Sequence, residues 1–374
     1  MLTLETLLTI EDLSAIAPEW DSLALLNPRD GLCRSASWCI AWHRHLRPDA
    51  KPFVVTARKH GRLVGVAPLC TMRKHGILRT LTFAGEDIAC GDYLGLLTEP
   101  DCAAEVEHAV FSELKTRAKL WDLMHLPAVL ESEVSRCSEI YVRDFGPEMR
   151  LSNRRICPFI SLPATYEEYL QTLSGKRRKS IRLQRKYLMS ENGVEVRVAS
   201  SGRELQAGLD VLIELHQARW NSVGLPGTLT RRGFREFLSA LSGQGNDHGC
   251  LRLFTAWHGG TPIAAQLNFH FKNSAMHFQA GWDPQSDLAS LGPGALLISC
   301  AIEHAIVEGK TYYDFMRGAE EYKFHYTQTH RTMVNFSGAR SLTARSYLTA
   351  LDFKERARNS YRAMRAQAQR PATA

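Results

Sequence analysis

The chain repeats one pattern of strands and helices, and this repetition constrains its fold more than any other feature. Residues 53–69 (FVVTARKHGRLVGVAPL) and 252–271 (RLFTAWHGGTPIAAQLNFHF) each alternate apolar and polar residues on both sides of a glycine-containing turn. Such alternation predicts a β-hairpin in each segment. Aligning Gly61 with Gly260 also brings Val64 opposite Ile263. The two hairpins therefore correspond residue by residue.

The segments around the hairpins correspond as well. A helical segment rich in aromatic residues precedes each hairpin (SASWCIAWHRHL and RRGFREFLSALSG), and a long helix followed by a strand comes after it (LWDLMHLP and YYDFMRG). Four features in the same order predict a duplicated α/β domain, and 374 residues suffice for two domains. We expect a first half in residues 1–155, a second half in 156–340, and a basic helix or tail in 341–374.

Composition excludes several classes of protein. Hydrophobic residues make up 44% and charged residues 23%, which is typical of a folded chain rather than a disordered one. The nine cysteines are scattered and form no C-x-x-C, which indicates reduced thiols without a zinc site. The N-terminus lacks the basic segment of a signal peptide, and the most apolar run, residues 295–307, is too short to span a bilayer. We therefore expect a cytoplasmic protein with no transmembrane segment and no metal.

The two halves differ at the start of one helix. Only the second half carries the stretch DLASLGPGALL, Asp287 to Leu297, with Gly-Pro-Gly at the mouth of an apolar helical run. Glycine lets a ligand approach the backbone, and the first-turn amides of a helix attract a phosphate or pyrophosphate. A plain strand-to-helix turn is the alternative. If the domain was duplicated, the second copy kept the ligand chemistry and the first copy shapes the acceptor cleft.

Residues 212–336 resemble a known family. The matching elements are the Arg219-Trp220 pair, Asp283, Ser290 with Pro293-Gly294, and the D-F-x-R-G-x-E-x-Y-K run from Asp314 to Lys323. They are similar to the CelD/BcsL-like double-GNAT acetyltransferases associated with cellulose biosynthesis. That group is similar in architecture to the FemAB aminoacyl transferases. The resemblance is looser across the first half and stops before the C-terminal basic segment.

The resemblance implies an α/β (α+β) fold of tandem duplicated GNAT domains, each a mixed twisted sheet flanked by helices. In this fold the pantetheine of the acyl donor lies between two splayed strands. The loop and helix start after the fourth core strand would bind the diphosphate of acyl-CoA, most simply acetyl-CoA. The residues that the resemblance assigns to this task are Ser290, Leu291, Gly292, Gly294, Ala295 and Leu296.

Acyl transfer from a thioester to an amine needs a polarised carbonyl, a deprotonated amine and a proton for the leaving thiolate. A strand at residues 275–282 (AMHFQAGW) would place His277 and Gln279 on one face by alternation. His277 is a candidate base near neutral pH, and Gln279 is a candidate substrate contact. The alternatives are a histidine packed on the sheet and, for the candidate catalytic residue Asp283, a turn cap.

The run after the last strand of the second half supplies the other catalytic candidates. By similarity to the FemAB group, Lys323 would point at the developing oxyanion or at a donor phosphate. Tyr322 or Tyr326 would protonate the thiolate, since a phenol is a weak acid. Glu320 would orient Lys323 or the substrate-binding Arg317, or act as base. The alternative is a charged and aromatic edge of the sheet.

A basic segment opens the second half. SGKRRKSIRLQRKYL, Ser174 to Leu188, carries seven Lys or Arg residues, and helical spacing aligns Arg178, Arg182 and Arg185 along one face. An anionic acceptor, a nucleotide-sugar phosphate or a tRNA backbone would dock there, and Trp220 would contact the substrate. A solvated charged face is the alternative. The C-terminal Arg356, Arg358, Arg362 and Arg365 are interpreted as such a face.

Three functions follow from these expectations. The leading one is an acyl-CoA-dependent N-acyltransferase acting on a small-molecule or saccharide amine, such as an amino sugar or polysaccharide precursor. The second is a FemAB-like transfer from aminoacyl-tRNA, the one case in which a nucleic acid would be a partner. Because no motif fixes the general base, the third is a catalytically silent scaffold in polysaccharide biosynthesis.

Overall fold

The two expected hairpins are present and are built alike. This computed structural model describes residues 2–27, 29–86, 91–222, 224, 227–242 and 249–354. Strands β2 (Lys51–Lys59) and β3 (Arg62–Lys74) form the first hairpin, and β9 (Leu251–His258) and β10 (Thr261–Phe271) form the second. Both central residues of each turn have positive φ, which is typical of the type I′ turn that matches the twist of paired strands.

The remaining elements of the first half surround its hairpin. They are β1 (Leu2–Leu7), α1 (Ile10–Ala15), α2 (Ala17–Leu25), α3 (Ala36–Ala41), β4 (Leu78–Phe83), β5 (Leu97–Thr98), α4 (Ala103–Thr116), β6 (Leu123–Leu130) and α5 (Glu131–Phe145).

The second half follows the same plan. After β7 (Met149–Ser161), which is the last strand of the first half, its elements are α6 (Tyr166–Thr172), α7 (Gly175–Arg185), β8 (Glu195–Ala199), α8 (Gly202–Ser222), α9 (Phe234–Ser242), β11 (Ser274–Trp282), α10 (Pro293–Val307), β12 (Tyr312–Asp314) and β13 (His330–Ala339), followed by α11 over residues 342–354.

The strands join into one mixed, twisted sheet in the order β1-β2-β3-β4-β6-β13-β7-β12-β11-β10-β9-β8, with β5 beside β3. Among the strands of the described ranges, two pairs are parallel, β4 with β6 and β11 with β12, and they occupy equivalent places in the two halves. The expected α/β fold, with a mixed twisted sheet flanked by helices and repeated in tandem, is confirmed.

The halves exchange their last strands at the centre of the sheet. β13, from the end of the second half, pairs with β6 of the first half, and β7 pairs with both β13 and β12. The expected boundary between residues 155 and 156 therefore falls inside β7. The expected limit at residue 340 falls between β13 and α11, and residues 355–374, with the four C-terminal arginines, lie outside the described part of the chain.

Apolar packing also crosses between the halves. The ring of Trp38 on α3 lies 5.0 Å from that of Phe237 on α9 and 5.4 Å from that of Phe269 on β10. A second apolar cluster belongs to the second half, where Ile181 of α7 and Leu296 of α10 are buried together. This cluster fixes α7 and the start of α10 against the sheet. Among the described residues, no helix is both long and apolar enough to cross a membrane.

Candidate functional site

Strands β11 and β12 separate soon after they meet, and a cleft opens between them. They pair only over Ser274–Met276 and Tyr312–Asp314, after which β11 continues to Trp282 paired with β10 on its other side. The cleft has a volume of about 680 Å³. It is lined by the end of β11, the start of α10 and the run 315–326, with side chains from α7, α8 and the first half at its rim.

The cleft brings together most of the residues proposed from the sequence. Those that line it are His277, Gln279, Gly292, Gly294, Ala295, Trp220, Arg317, Glu320, Tyr322, Lys323 and Tyr326. The remaining candidates lie outside its lining: Asp283, Ser290, Leu291, Leu296, Arg178 and Arg182. Only the residues that line the cleft can act together on one bound ligand.

Local bonds explain the residues that lie outside. The Asp283 carboxylate accepts from the Gln285 N–H at 2.9 Å and so closes a turn. Leu296 is fully buried in the apolar cluster under α10. Arg178 donates to Gln171 at 2.6 Å and Arg182 to Glu167 at 2.5 Å, so both face α6 rather than the cleft.

The start of α10 offers one backbone donor. Gly292 has φ 71° and ψ 58°, a left-handed conformation that glycine adopts without strain. The amides of Ala295 and Leu296 both donate to the Gly292 carbonyl, the Gly292 amide donates to Ala289, and Pro293 has no N–H. Of residues 292–296, Gly294 thus keeps an N–H outside these bonds. We expected several backbone amides to be available for a diphosphate. The structure leaves one of them available, at the positive end of the helix.

Two arginines stack on aromatic rings beside this helix start. The Arg219 guanidinium lies 4.0 Å from the ring centre of Trp282, and that of Arg177 lies 4.6 Å from the ring centre of Tyr326. A Cβ on Gly294 would lie 3.6 Å from the same Trp282 ring, so the arginine on Trp282 is close to the free amide. Within the described ranges neither arginine forms a salt bridge, although the Glu320 carboxylate attracts Arg219 from a longer distance, and the buried Nε of Arg177 has no hydrogen-bond partner. The cleft therefore presents two positive charges.

A buried lysine lies across the cleft. Lys323 Nζ donates to the Arg317 carbonyl at 2.7 Å and lies 2.9 Å from Glu320 Oε2. Gly318, with φ 115°, makes this possible, because a Cβ there would meet the Glu320 carboxylate at 2.3 Å. The sequence Arg-Gly-x-Glu-x-x-Lys thus folds back on itself to hold the ammonium group in place.

The two tyrosines next to Lys323 differ in their surroundings. Burial, together with the nearby Glu320 carboxylate, raises the pKa of Tyr322 well above its usual value. Burial raises the pKa of Tyr326 to about 12, and its hydroxyl donates to the Ala295 carbonyl at 3.4 Å. Both phenols remain protonated at neutral pH, and Tyr322 is the one that is also partly exposed.

A β-bulge corrects the predicted arrangement of His277 and Gln279. The register between β10 and β11 pairs Asn268 with His277 but Leu267 with Gln279, so Phe278 is an extra residue. Because Leu267 and Asn268 point to opposite faces, their partners do too, and the expectation of one shared face was wrong. His277 faces Phe315, whereas Gln279 meets His216 of α8.

Burial also changes what His277 can do. It lowers the pKa of His277 to about 3, and Lys323 and Arg219 act in the same direction. The imidazole is therefore neutral at physiological pH, and its buried Nδ1 has no hydrogen-bond partner within the described chain. A group with so low a pKa is a weak general base, which favours hydrogen bonding over proton abstraction.

The first half contributes residues that the sequence did not single out. Asp92 lines the cleft and accepts from the Arg317 backbone N–H at 2.7 Å and from its guanidinium. Tyr93 donates to Asp314 at 2.8 Å, and Arg331 lies 2.9 Å from the same carboxylate. Two of them, Asp92 and Tyr93, lie in a segment where the sequences of the two halves differ.

Two further residues that shape the cleft were missed, one behind its wall and one in it. His216 accepts from Trp220 Nε1 at 2.8 Å and orients that indole, and burial lowers the pKa of His216 to about 4. Arg177 lies in the first turn of α7, after the N-cap serine. Because it is one of several consecutive charged residues, the sequence did not show that its side chain points into the cleft. Helical spacing relative to the buried Ile181 was the available signal.

One other cluster in the described residues has the composition of a metal site. His270, His304 and Glu308 bring their ligand atoms within 4.8 Å of one another. Glu308 accepts from His270 at 2.6 Å and from Arg252 at 2.7 Å. Because Arg252 already supplies a positive charge to this carboxylate, we interpret the cluster as an internal ion-pair network rather than a metal site. It lies at the end of α10 opposite the cleft.

Comparisons with known proteins concern both the cleft-bearing segment and the fold of the whole chain. Residues 175–324, which carry the cleft, match the family model of an acetyltransferase (GNAT) domain. No curated protein matches the chain by sequence. Three solved structures share the fold over nearly the whole chain. FemX is 10% identical, covers 90% of this chain and 97% of its own, and has a TM-score of 0.62.

The other two are similar to a comparable degree. The C-terminal domain of a putative lysylphosphatidylglycerol synthetase from Agrobacterium fabrum is 9% identical over 91% of this chain and 96% of its own, with a TM-score of 0.57. L-PGS from Bacillus licheniformis is 11% identical over 93% and 96%, with a TM-score of 0.52. At these identities the likeness establishes the shared two-part fold.

Proposed function

We propose that the chain is an N-acyltransferase that moves an acyl group, most simply acetyl, from acyl-CoA to an amine in the cleft between β11 and β12. The observation that carries the proposal is the separation of these two parallel strands directly beside the start of α10. The match of residues 175–324 to an acetyltransferase (GNAT) domain supports the same reaction class.

The donor would bind by its phosphates and by its acyl arm. The Gly294 amide, the positive end of α10 and the guanidinium groups of Arg177 and Arg219 form a seat for a diphosphate. The gap left by the separating strands would receive the pantetheine arm. In this arrangement the free backbone edge of β11 beyond Met276 offers amides to the thioester carbonyl.

The residues present supply the other requirements of transfer. The neutral acceptor amine would attack the thioester carbon and the C–S bond would break. The thiolate would take the proton of the Tyr322 hydroxyl, and the proton lost by the acceptor nitrogen would return to the Tyr322 oxygen. The Lys323 ammonium would stabilise charge on the carbonyl oxygen or on a donor phosphate. Glu320, bonded to Lys323, and Asp92, bonded to Arg317, would fix these cations rather than react.

The acceptor is proposed to be an amino sugar or another saccharide amine. Trp220, Trp282, Phe315 and Tyr322 give the cleft flat aromatic walls on which a sugar ring can stack. The resemblance to CelD/BcsL-like proteins supports a role in polysaccharide biosynthesis.

Ligand-induced stabilisation tests the donor. Acetyl-CoA at a hundredfold excess over its dissociation constant should add about 2.7 kcal/mol to the free energy of unfolding, which thermal-shift titration detects. Gly294→Trp should abolish this shift, and Lys323→Ala should weaken turnover more than binding. Val307→Trp, at the other end of α10 where the side chain is 82% exposed, is the matched control and should keep the shift. Absence of a shift with CoA and all acyl-CoAs tested would refute the proposal.

A second candidate is transfer of an aminoacyl group from tRNA, and the basic helix α7 beside the cleft favours it. Whole-chain similarity to FemX supports this candidate, since FemX shares both halves of the fold. Binding of aminoacyl-tRNA that weakens steeply with salt, together with no response to acyl-CoA, would select it. Acyl-CoA binding without turnover on a broad amine panel would instead favour the silent scaffold.

A further inference from the structure

The outward face of α7 is basic and apolar at once. Helix α7 continues into a wider turn at Lys186–Glu191. By helical spacing its solvent side carries Lys176, Lys179, Leu183, Lys186 and Tyr187, which we call the docking face. Leu183 is 37% exposed and Tyr187 is 44% exposed.

The opposite side of the same helix fixes its orientation. Ile181 and Leu188 are buried in the second apolar cluster, and Arg177 reaches the cleft. Gln184 Nε2 donates to the carbonyls of Leu291 and Gly292 at 2.8 and 3.1 Å. The docking face cannot turn inward without breaking these contacts, so its exposure is a fixed property of the fold.

The charges of the docking face are mostly uncompensated. Among the described residues, Lys186 lies 3.1 Å from Glu191, whereas no carboxylate lies at salt-bridge distance from Lys176 or Lys179. Leu183 and Tyr187 are four residues apart and therefore adjacent on the helix surface. This neighbouring apolar pair, framed by lysines, lies outside the apolar clusters of the described residues.

We propose that the docking face binds the surface of an anionic lipid membrane. Interfacial helices combine lysines, which attract acidic headgroups, with leucine and aromatic side chains, which enter the headgroup region. A nucleic-acid backbone would be attracted by the lysines alone and would gain nothing from an exposed Leu183–Tyr187 pair. The combination of both features therefore favours lipid.

Docking in this way would bring the cleft to the membrane. Because Arg177 and the docking face lie on opposite sides of one helix, the cleft opening is within about the width of a helix, roughly 10 Å, of the bound surface. An acceptor or donor carried on a lipid headgroup would then have to extend by about one helix width to reach the site. The docking surface itself does not depend on acyl transfer.

Vesicle co-sedimentation of the full chain tests the proposal. The protein should bind vesicles of phosphatidylcholine with phosphatidylglycerol, and bind vesicles of phosphatidylcholine alone far more weakly. Since one lysine at an anionic surface is worth roughly fivefold in partitioning, the variant K176E/K179E/K186E should lose at least about 100-fold. The variant L183S/Y187S should bind more weakly with all lysines retained.

A matched control changes charge elsewhere. K51E/K119E/K354E alters net charge equally at three exposed lysines outside α7 and should bind like the original chain. Failure of the original chain to bind acidic vesicles would overturn the proposal, as would equal loss in the control variant. Binding of tRNA that displaces the vesicles and survives L183S/Y187S would assign the face to nucleic acid instead. All changed side chains are exposed, so unfolding temperatures should stay close to the original.

Discussion

At the scale of single residues, the cleft depends on a charge pair that joins the two halves. The Asp92 side chain is fully buried and holds both the backbone and the guanidinium of Arg317, which is 22% exposed. Arg317 in turn offers its carbonyl to Lys323. One carboxylate from the first half thus sets the position of two cations in the second.

Asp92→Ala should therefore be strongly destabilising. It removes the buried carboxylate to which a largely buried guanidinium and a backbone N–H donate, and breaking a buried pair in this way costs about 3–5 kcal/mol. Asp210→Ala is the control, because Asp210 pairs with Arg235 on the surface, where such a pair is worth about 1 kcal/mol or less. Thermal unfolding of both variants measures the difference. Equal unfolding temperatures would show that the Asp92 pair contributes no more than a surface pair.

Buried histidines predict an acid-sensitive fold. Burial lowers the pKa of His43 to about 4 and that of His125 and His277 to about 3, compared with about 6.5 in an unfolded chain. The folded protein therefore binds fewer protons than the unfolded chain between about pH 6.5 and 4. Stability should be complete above pH 6.5 and fall as the pH decreases through that window, by up to about 1.4 kcal/mol per histidine per pH unit.

Thermal unfolding at pH 7.5, 6.5 and 5.5 and constant ionic strength tests this dependence. His125→Asn should flatten the pH profile relative to that of the original chain. An unfolding temperature that is constant from pH 7.5 to 5.5 would contradict the assignment of neutral buried imidazoles.

At the scale of elements, α7 and the start of α10 depend on each other. Gln184 satisfies the carbonyls of Leu291 and Gly292 just before the helix begins, which holds the Gly294 amide toward the cleft. Gln184→Ala should cost about 1 kcal/mol of stability for the lost hydrogen bonds. It should also weaken donor binding, measured by calorimetric titration. Gln171→Ala, which removes a bond between α6 and Arg178 outside the cleft, should leave donor binding unchanged.

The same elements show what the sequence could and could not predict. Hairpins and the Gly-Pro-Gly helix start are local patterns, so their positions were predictable from neighbouring residues. The bulge at Phe278 was not, because AMHFQAGW contains no residue that marks where the extra position falls. Asp92 was missed for a different reason: its partner Arg317 is 225 residues away, and only the folded sheet brings them together.

At the scale of the whole molecule, the exchange of strands makes the halves inseparable. β6 of the first half pairs with β13, which is the last strand of the second half. Apolar side chains of the first half, such as Trp38, pack on rings of the second. The internal repeat suggests two units that fold alone. Separated from the other half, however, each unit would expose an unpaired edge of its sheet and part of its apolar core. The unit of folding is the tandem pair.

Fragment complementation tests this conclusion. A cut between Gly146 and Pro147 falls between α5 and β7 and divides no strand. A cut between Arg155 and Ile156 divides β7. We expect residues 1–146 and 147–374 to be insoluble or protease-sensitive when expressed singly. Expressed together they should copurify as a folded complex, because all pairings of β6, β13 and β7 can re-form. The pair 1–155 and 156–374 should assemble less well, since the two parts of β7 must find their register independently. A cooperative thermal transition in residues 1–146 alone would mean that the first half is an autonomous domain, and that the exchanged strand is an accessory to its stability rather than a requirement.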